Sequence, residues 1–232
     1  MKMTLRALAA LLGYPSAELQ ANIGDLEDAF RSEHALPRAE RRRLEPLLQS
    51  FREQELLDLQ STYSELFDRS RSLSLHLFEH VHGDSRERGQ AMIDLGEQYM
   101  QSGFFLDSSE LPDFVPVFLE YASCLPDDEA REMLAQPAHV FAALAERLDK
   151  RGSGYAAIFH ALVSLAGARP DAGAVASVDN NTPAQDAPDV DNEWEEAPIS
   201  FNAGAAHEMG GPTGVVAKIR ASNRPIAKGA EA

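Results

Sequence analysis

The stretch Phe114-Val115-Pro116-Val117-Phe118-Leu119-Glu120-Tyr121-Ala122-Ser123-Cys124-Leu125-Pro126 decides how this chain folds. Phe114, Val117, Phe118, Tyr121 and Ala122 fall at helical spacing and trace one face. Pro112 suits a helix start, Pro116 is still within the first turn, and Pro126 stops the run. The same spacing recurs in both directions. Toward the C-terminus, Asp127 can cap a short helix ending near Gln136. Phe141, Leu144, Ala145 and Leu148 define the next face. Tyr155, Ile158, Phe159, Leu162 and Val163 define the last, ended by Gly167 and Pro170.

Toward the N-terminus, Leu5, Leu8, Ala9 and Leu12 form a stripe that Thr4 can cap. Ser16 can cap a second helix to about Phe30, and Pro37 opens a third through about Arg52. Further helices are expected over Glu55 to Phe67 and Leu73 to Val81. His82-Gly83 makes a break, and Asp84-Ser85-Arg86-Glu87 is a capping-box pattern opening a helix to about Ser102. No run alternates apolar and polar residues. The fold class is therefore all-α, with several helices packing their stripes on one shared core.

The chain has 232 residues, 44% of them hydrophobic, enough for one ample core. Acidic residues outnumber basic ones by 37 to 21, a net charge of −16. That field repels nucleic acid and anionic membrane and favours a basic peptide or a basic protein face. One cysteine, Cys124, rules out an internal disulfide or a multi-cysteine metal site and reads as a small buried hydrophobe. No stretch approaches the ~20 apolar residues of a membrane helix. The short run Ala7 to Leu12 is followed by Gly13-Tyr14-Pro15 where a signal peptide needs a cleavage site, so a cytoplasmic location is expected.

Composition breaks near Pro170. Residues 170–201 carry eight acidic and no basic residues, and 202–232 are rich in Gly and Ala. The expected organisation is a single-domain helical bundle over 1–169, an acidic flexible linker over 170–201 that includes Trp194, and a disordered tail over 202–232.

Candidate chemistry concentrates in two places. His76-Leu77-Phe78-Glu79-His80 fits the inverted zinc-protease string H-x-x-E-H, and on a helix His76 and His80 stand one turn apart. A third ligand is still needed; Asp84 or Glu110 are candidates, and the spacing requires neither. The structural reading satisfies both histidines with neighbouring groups. From His82 to Gly89, Gly83 permits a tight turn, Asp84 caps a helix, and Arg86 and Arg88 cannot share one face. In the second cluster, Asp113 is an acid at the positive end of the following helix, and Glu120 interrupts an apolar helix. Glu120 is either a solvated charge or a carboxylate that holds an arginine of a peptide. Phe114, Val117, Phe118 and Tyr121 fit a core as well as a binding stripe. Arg41-Arg42-Arg43 reads as a solvated face beside Glu40 and Glu45.

Taken together, these residues resemble a known family. His82 to Met92 is similar to the HGDxRxRGxAM segment of the NarJ family of nitrate reductase assembly chaperones, and Ser74 to His80 resembles its SLHLFEH run. Glu110-Leu111-Pro112-Asp113-Phe114 with Leu119-Glu120-Tyr121 is similar to the ExPDxxxxxLE(F/Y) pattern shared with TorD- and DmsD-type chaperones. Tyr63 to Asp68 resembles the Y-x-x-x-F-D segment, and Asn192 to Phe201 the acidic Trp-containing stretch that closes many NarJ chains. The resemblance covers about residues 4–201; the Gly- and Ala-rich end departs from it.

The resemblance implies a TorD/NarJ-type all-α chaperone with no reaction and no cofactor of its own. Such a chaperone binds the N-terminal segment of the nascent nitrate reductase catalytic subunit. It supports insertion of the molybdenum cofactor and an iron–sulfur cluster, delays membrane docking, and is absent from the finished enzyme. Molybdenum cofactor biosynthesis proteins are further expected partners. A groove between the Asp84 helix and the Asp113 helix is expected to hold the peptide, through His76, His82, Gly83, Asp84, Arg86, Arg88, Glu110, Asp113, Phe114, Val117, Glu120 and Tyr121. The alternatives are a sister chaperone for a DMSO or TMAO reductase, and a zinc hydrolase using His76, Glu79 and His80.

Overall fold

A computed structural model describes residues 1–83, 85–107, 110–167 and 172–181. The N-terminal half comprises α1 (Lys2–Leu12), α2 (Ala17–Ala21), α3 (Ile23–Ser32), α4 (Arg38–Glu53), α5 (Leu56–Tyr63) and α6 (Leu77–His82). The remainder comprises α7 (Glu87–Gln101), α8 (Val115–Ala122), α9 (Asp127–Ala135), α10 (Ala138–Lys150), α11 (Ala156–Ala166) and α12 (Ala172–Asn181). Among the described residues there is no strand, only an isolated antiparallel bridge between His76 and Phe114. None of these helices is long and apolar enough to cross a membrane.

The expected stripes find their partners. On α10, Phe141, Leu144 and Leu148 are fully buried; on α11, Ile158, Phe159 and Leu162 are too. Each such side chain contributes about 1.5–3 kcal/mol by leaving water. These two helices pack on each other, and α11 also packs on α4 and α9. On a second front α1 packs on α8 and α3. Leu5, Leu8 and Leu12 of the α1 stripe are fully buried.

Several local expectations are corrected. Thr4 is not the cap of α1 but lies inside it. The N-terminus is instead capped across the fold: Glu33 accepts from the Met3 N–H (3.0 Å) and the Thr4 N–H (2.7 Å). Burial alone would raise the Glu33 carboxyl pKa, but these hydrogen bonds outweigh it and hold it below its ordinary value. Ser16 caps as expected, accepting from Leu19 N–H at 3.1 Å, but its helix breaks at Asn22 into α2 and α3. Asp127 lies in the first turn of α9, with Pro126 at the cap. Cys124 is exposed, because it falls in the turn after α8, where its neighbour Leu125 takes the inward position.

The helix expected over Glu55 to Phe67 is α5 followed by a π-helical turn, Ser64–Asp68. This is where the Tyr63…Phe67 pattern acts. Tyr63 donates to the Leu12 carbonyl at 2.8 Å and packs on Phe67, with ring centroids 4.9 Å apart; Phe67 meets Tyr155 edge-on at 5.1 Å. That pattern therefore builds core, tying α5 to α1 and α11.

The helical region also outruns its expected end at residue 169. Helix α12 packs on α10 and α6, with Val178 buried and Val175 against the core. Arg147 of α10 donates to the Val178 carbonyl at 3.3 Å. Val175 and Val178 form only a one-turn apolar stripe, too short to register as periodic. The rest of the acidic linker and the Gly/Ala-rich tail, from residue 182 onward, lie outside the described residues.

Candidate functional site

The two motif clusters, some thirty residues apart, are joined through their backbones. The Val115 N–H donates to the Leu75 carbonyl at 2.8 Å, and the Leu77 N–H donates to the Asp113 carbonyl at 3.0 Å. This pairing stops His76 from joining a helix. The expected helix over Leu73 to Val81 is replaced by a 3₁₀ turn, Arg71–Leu73, an extended link, and the short α6.

Asp113 holds the joint. It is fully buried, and it does not serve its own helix as expected. Helix α8 begins two residues later, with Phe114 at its cap and Pro116 in its first turn, and Pro112 lies in the preceding turn. The Asp113 carboxylate instead crosses to α6, accepting from the Phe78 N–H (3.1 Å) and lying 3.2 Å from His76 Nδ1. A negative charge at the positive end of α6 satisfies an otherwise orphaned donor. The His76 ring lies over Phe114, with centroids 5.3 Å apart and planes 32° apart.

This geometry removes the zinc reading. His76 precedes α6 rather than riding on it, so it does not share a face with His80. His80 is buried, and its Nε2–H donates to the Ser74 carbonyl at 2.8 Å. Burial lowers its pKa, and its Nδ1 has no hydrogen-bond partner among the described residues, so a proton there would be uncompensated. Glu79 is engaged by Arg88 at 3.1 Å. Among the described residues, no three His, Cys, Asp or Glu side chains assemble where a metal ion could be held.

The described residues of the HGDxRxRG segment include the last residue of α6, His82, then Gly83, and the first residues of α7, Glu87 to Gly89. Gly83 has φ 54° and ψ −131°, a conformation that favours glycine, as the turn reading requires. Arg88 points back to Glu79, linking α7 to α6, while Arg86 is exposed. The separation of the two arginines follows the expected two-residue offset. His82 stands against Phe78, ring centroids 5.6 Å apart, with its Nδ1 3.8 Å from Glu87. Asp84 lies outside the described residues.

At the other end of α7, Tyr99 is fully buried and donates to the Pro112 carbonyl at 2.9 Å. Tyr121 packs against it, with centroids 4.3 Å apart, and its hydroxyl meets Ser102 Oγ at 2.9 Å. Tyr121 and Val117 are buried and form part of the packing of α8. Phe114 is half-buried; Glu110 and Glu120 are exposed.

One feature was not singled out from the sequence. Large apolar side chains between residues 81 and 111 stand in solvent: Val81, Ile93, Met100, Phe105 and Leu111, with Phe105 78% and Ile93 56% exposed. On α7, Tyr99 is the sole buried residue, while Ile93 and Met100, seven residues apart, share one exposed helical face. Exposed Glu87, Asp94, Glu97 and Glu110 accompany them. The signal was present as apolar residues covering more of α7 than one packing face needs (Met92, Ile93, Leu95, Tyr99, Met100), but periodicity alone does not show which face finds a partner.

Comparison with known proteins identifies the family. The family model described as "Nitrate reductase delta subunit" matches residues 16–161. The chain is 43% identical over 197 residues to the nitrate reductase molybdenum cofactor assembly chaperone NarJ of Escherichia coli K12, covering 84% of each protein. It is 46% identical over 147 residues to NarW of the same organism, covering 63% of this chain and 64% of NarW. A crystal structure of an Archaeoglobus fulgidus protein described as a redox enzyme maturation protein superimposes with a TM-score of 0.52 at 20% identity. That match covers 72% of this chain and 94% of the other, and shows the shared fold. By the extent of these matches, the chain belongs to the nitrate reductase delta subunit family.

Proposed function

We propose that this protein is a NarJ-type assembly chaperone for nitrate reductase, acting in molybdenum cofactor insertion, and that it works by binding rather than by catalysis. The relatives that carry this reading are assembly chaperones by name. In finer detail, the client is the N-terminal segment of the catalytic subunit, held in the cytoplasm until its molybdenum cofactor and iron–sulfur cluster are in place. Molybdenum cofactor biosynthesis proteins are further partners.

The observation that supports the binding mode is the exposure of Ile93 and Met100 on α7 and of Phe105 in the segment after it, with exposed Glu87, Asp94 and Glu97 on the same helix. A basic amphipathic helix would bury its apolar face against Ile93, Met100 and Phe105 and set its cations beside Glu87, Asp94 and Glu97. The net charge of −16 speeds that encounter. In this reading His76, His82, Arg86 and Arg88 supply polar groups to the client from α6 and its flanking segments, Asp113, Val117 and Tyr121 act as buried support, and Glu110 and Glu120 add exposed acidic groups.

Calorimetric titration with a synthetic peptide from the N-terminus of the co-encoded catalytic subunit tests this. Saturable one-to-one binding is expected, weakened by salt, by scrambling the peptide, and by Ile93→Asp or Met100→Asp. Both substitutions alter exposed side chains and leave the melting temperature unchanged. Wild-type affinity in both folded variants would place the peptide elsewhere. Absence of binding to folded protein would remove the N-terminal segment as the client site.

A further inference from the structure

The basic run at Arg41 to Arg43 is not one solvated face. Arg43 turns to Glu40, 3.7 Å away. Arg41 and Arg42 instead line a groove between α3 and α4, with Arg31 and Arg38 beside them and Phe30 and Leu48 as its apolar floor. Positions 38, 41, 42, 45 and 48 share one helical face, so α4 presents these groups together.

The electrostatics of this groove are unbalanced. Of its two glutamates, Glu27 is already paired with Arg52, and Glu45 forms no ion pair with Arg41 or Arg42. Arg31 is paired with Asp28 at 2.9 Å, but Arg38, Arg41 and Arg42 form no ion pair among the described residues. Arg38 and Arg41 also occupy the first turn of α4, where the helix dipole is positive and cations are disfavoured. Pro37 at the cap supplies no side-chain acceptor. A chain with 37 acidic residues has ample means to neutralise three arginines, and here it does not.

We infer that the α3–α4 groove is a docking surface for an acidic segment of a second protein partner. Carboxylates would pair with the planar guanidinium groups, and an apolar side chain would rest on Phe30 and Leu48. The overall negative charge opposes long-range approach, but within a Debye length of ~8 Å at physiological salt the local arginines dominate. This surface shares no residue with the α6–α7 face. A basic client and an acidic partner can therefore be held on separate surfaces, and the inference stands or falls independently of the client reading.

The test uses the full chain and a fluorescein-labelled peptide of alternating glutamate and leucine, followed by anisotropy. Saturable, salt-sensitive binding is expected. The triple variant Arg38→Gln/Arg41→Gln/Arg42→Gln should weaken it by about tenfold or more, while Arg43→Gln leaves it unchanged. The triple variant should melt no lower than wild type, since no ion pair within the fold is lost. A lowered melting temperature would overturn the premise that these arginines are idle in the fold. Unchanged peptide affinity in the triple variant would overturn the site. Equal affinity for a peptide with serine in place of leucine, together with displacement by polyphosphate at the same charge concentration, would reduce the groove to a general anion surface and overturn the assignment to a protein partner.

Discussion

Replacing Asp113 with alanine tests whether one buried carboxylate joins the two halves of the candidate site. The change strands the Phe78 N–H, which it meets at 3.1 Å, and removes the neighbour of His76 Nδ1 at 3.2 Å. An orphaned, half-buried donor costs about 1–3 kcal/mol. Loss of an anion at the α6 N-terminus adds ~0.3–1 kcal/mol. The His76 contact, with 31% of that side chain exposed, adds less than ~1 kcal/mol. Relief from burying a carboxylate offsets part of this, leaving a net loss of about 2–3 kcal/mol. For a domain of this size the melting temperature falls by about 4–12 °C. Asp113→Asn keeps an acceptor for Phe78 and loses only the charge, so it should cost roughly 1 kcal/mol. Urea denaturation of both variants and of His76→Ala, with the Asp113→Ala/His76→Ala double mutant, separates the contributions. A loss below ~0.5 kcal/mol for Asp113→Ala, or equal losses for alanine and asparagine, would refute the argument that the hydrogen bond to α6 holds the joint.

Two buried tyrosines should behave oppositely. Tyr63→Phe removes a 2.8 Å hydrogen bond to Leu12 and should cost about 1–2 kcal/mol. The Tyr155 hydroxyl is buried with no partner among the described residues, so Tyr155→Phe should be neutral or stabilising in the same denaturation assay. Because burial lowers the His80 pKa in the folded state, the unfolded chain binds the proton more tightly. Stability from this residue is present above its ordinary value near 6.5 and is lost as pH falls below it; the drop in urea midpoint between about pH 7.5 and 5.5 should shrink in His80→Gln. Glu33 acts in a lower window: its contribution holds above its ordinary value of 4.5 and is lost as pH falls through its lowered folded value. At neutral pH, Glu33→Ala should cost about 1–2 kcal/mol through the lost cap of α1. Gly83→Ala, at φ 54° and ψ −131°, should cost about 1–3 kcal/mol, read by thermal melting.

The sequence by itself determined the all-α class and the inward faces of the helices. A stripe such as Phe141, Leu144 and Leu148 has only one way to leave water, so local periodicity carries the answer. It also determined the Gly83 turn and the Ser16 cap, where the chemistry is confined to a few neighbouring residues. Family membership was legible for a related reason: the spacing of the His82 to Met92 and Glu110 to Tyr121 segments is more specific than any single residue in them. What only the tertiary structure decided depends on groups distant in sequence. Glu33 displaces Thr4 as the cap of α1 because a carboxylate 29 residues away reaches the free N–H groups. Asp113 serves α6 rather than α8 because the backbone pairing around His76 and Phe114 turns it there. The same pairing takes His76 off the helix and dissolves the zinc pattern. Exposure, too, is a tertiary property: Ile93 and Met100 obey the same period as buried residues, and they are surface because among the described residues no neighbouring helix covers that side of α7.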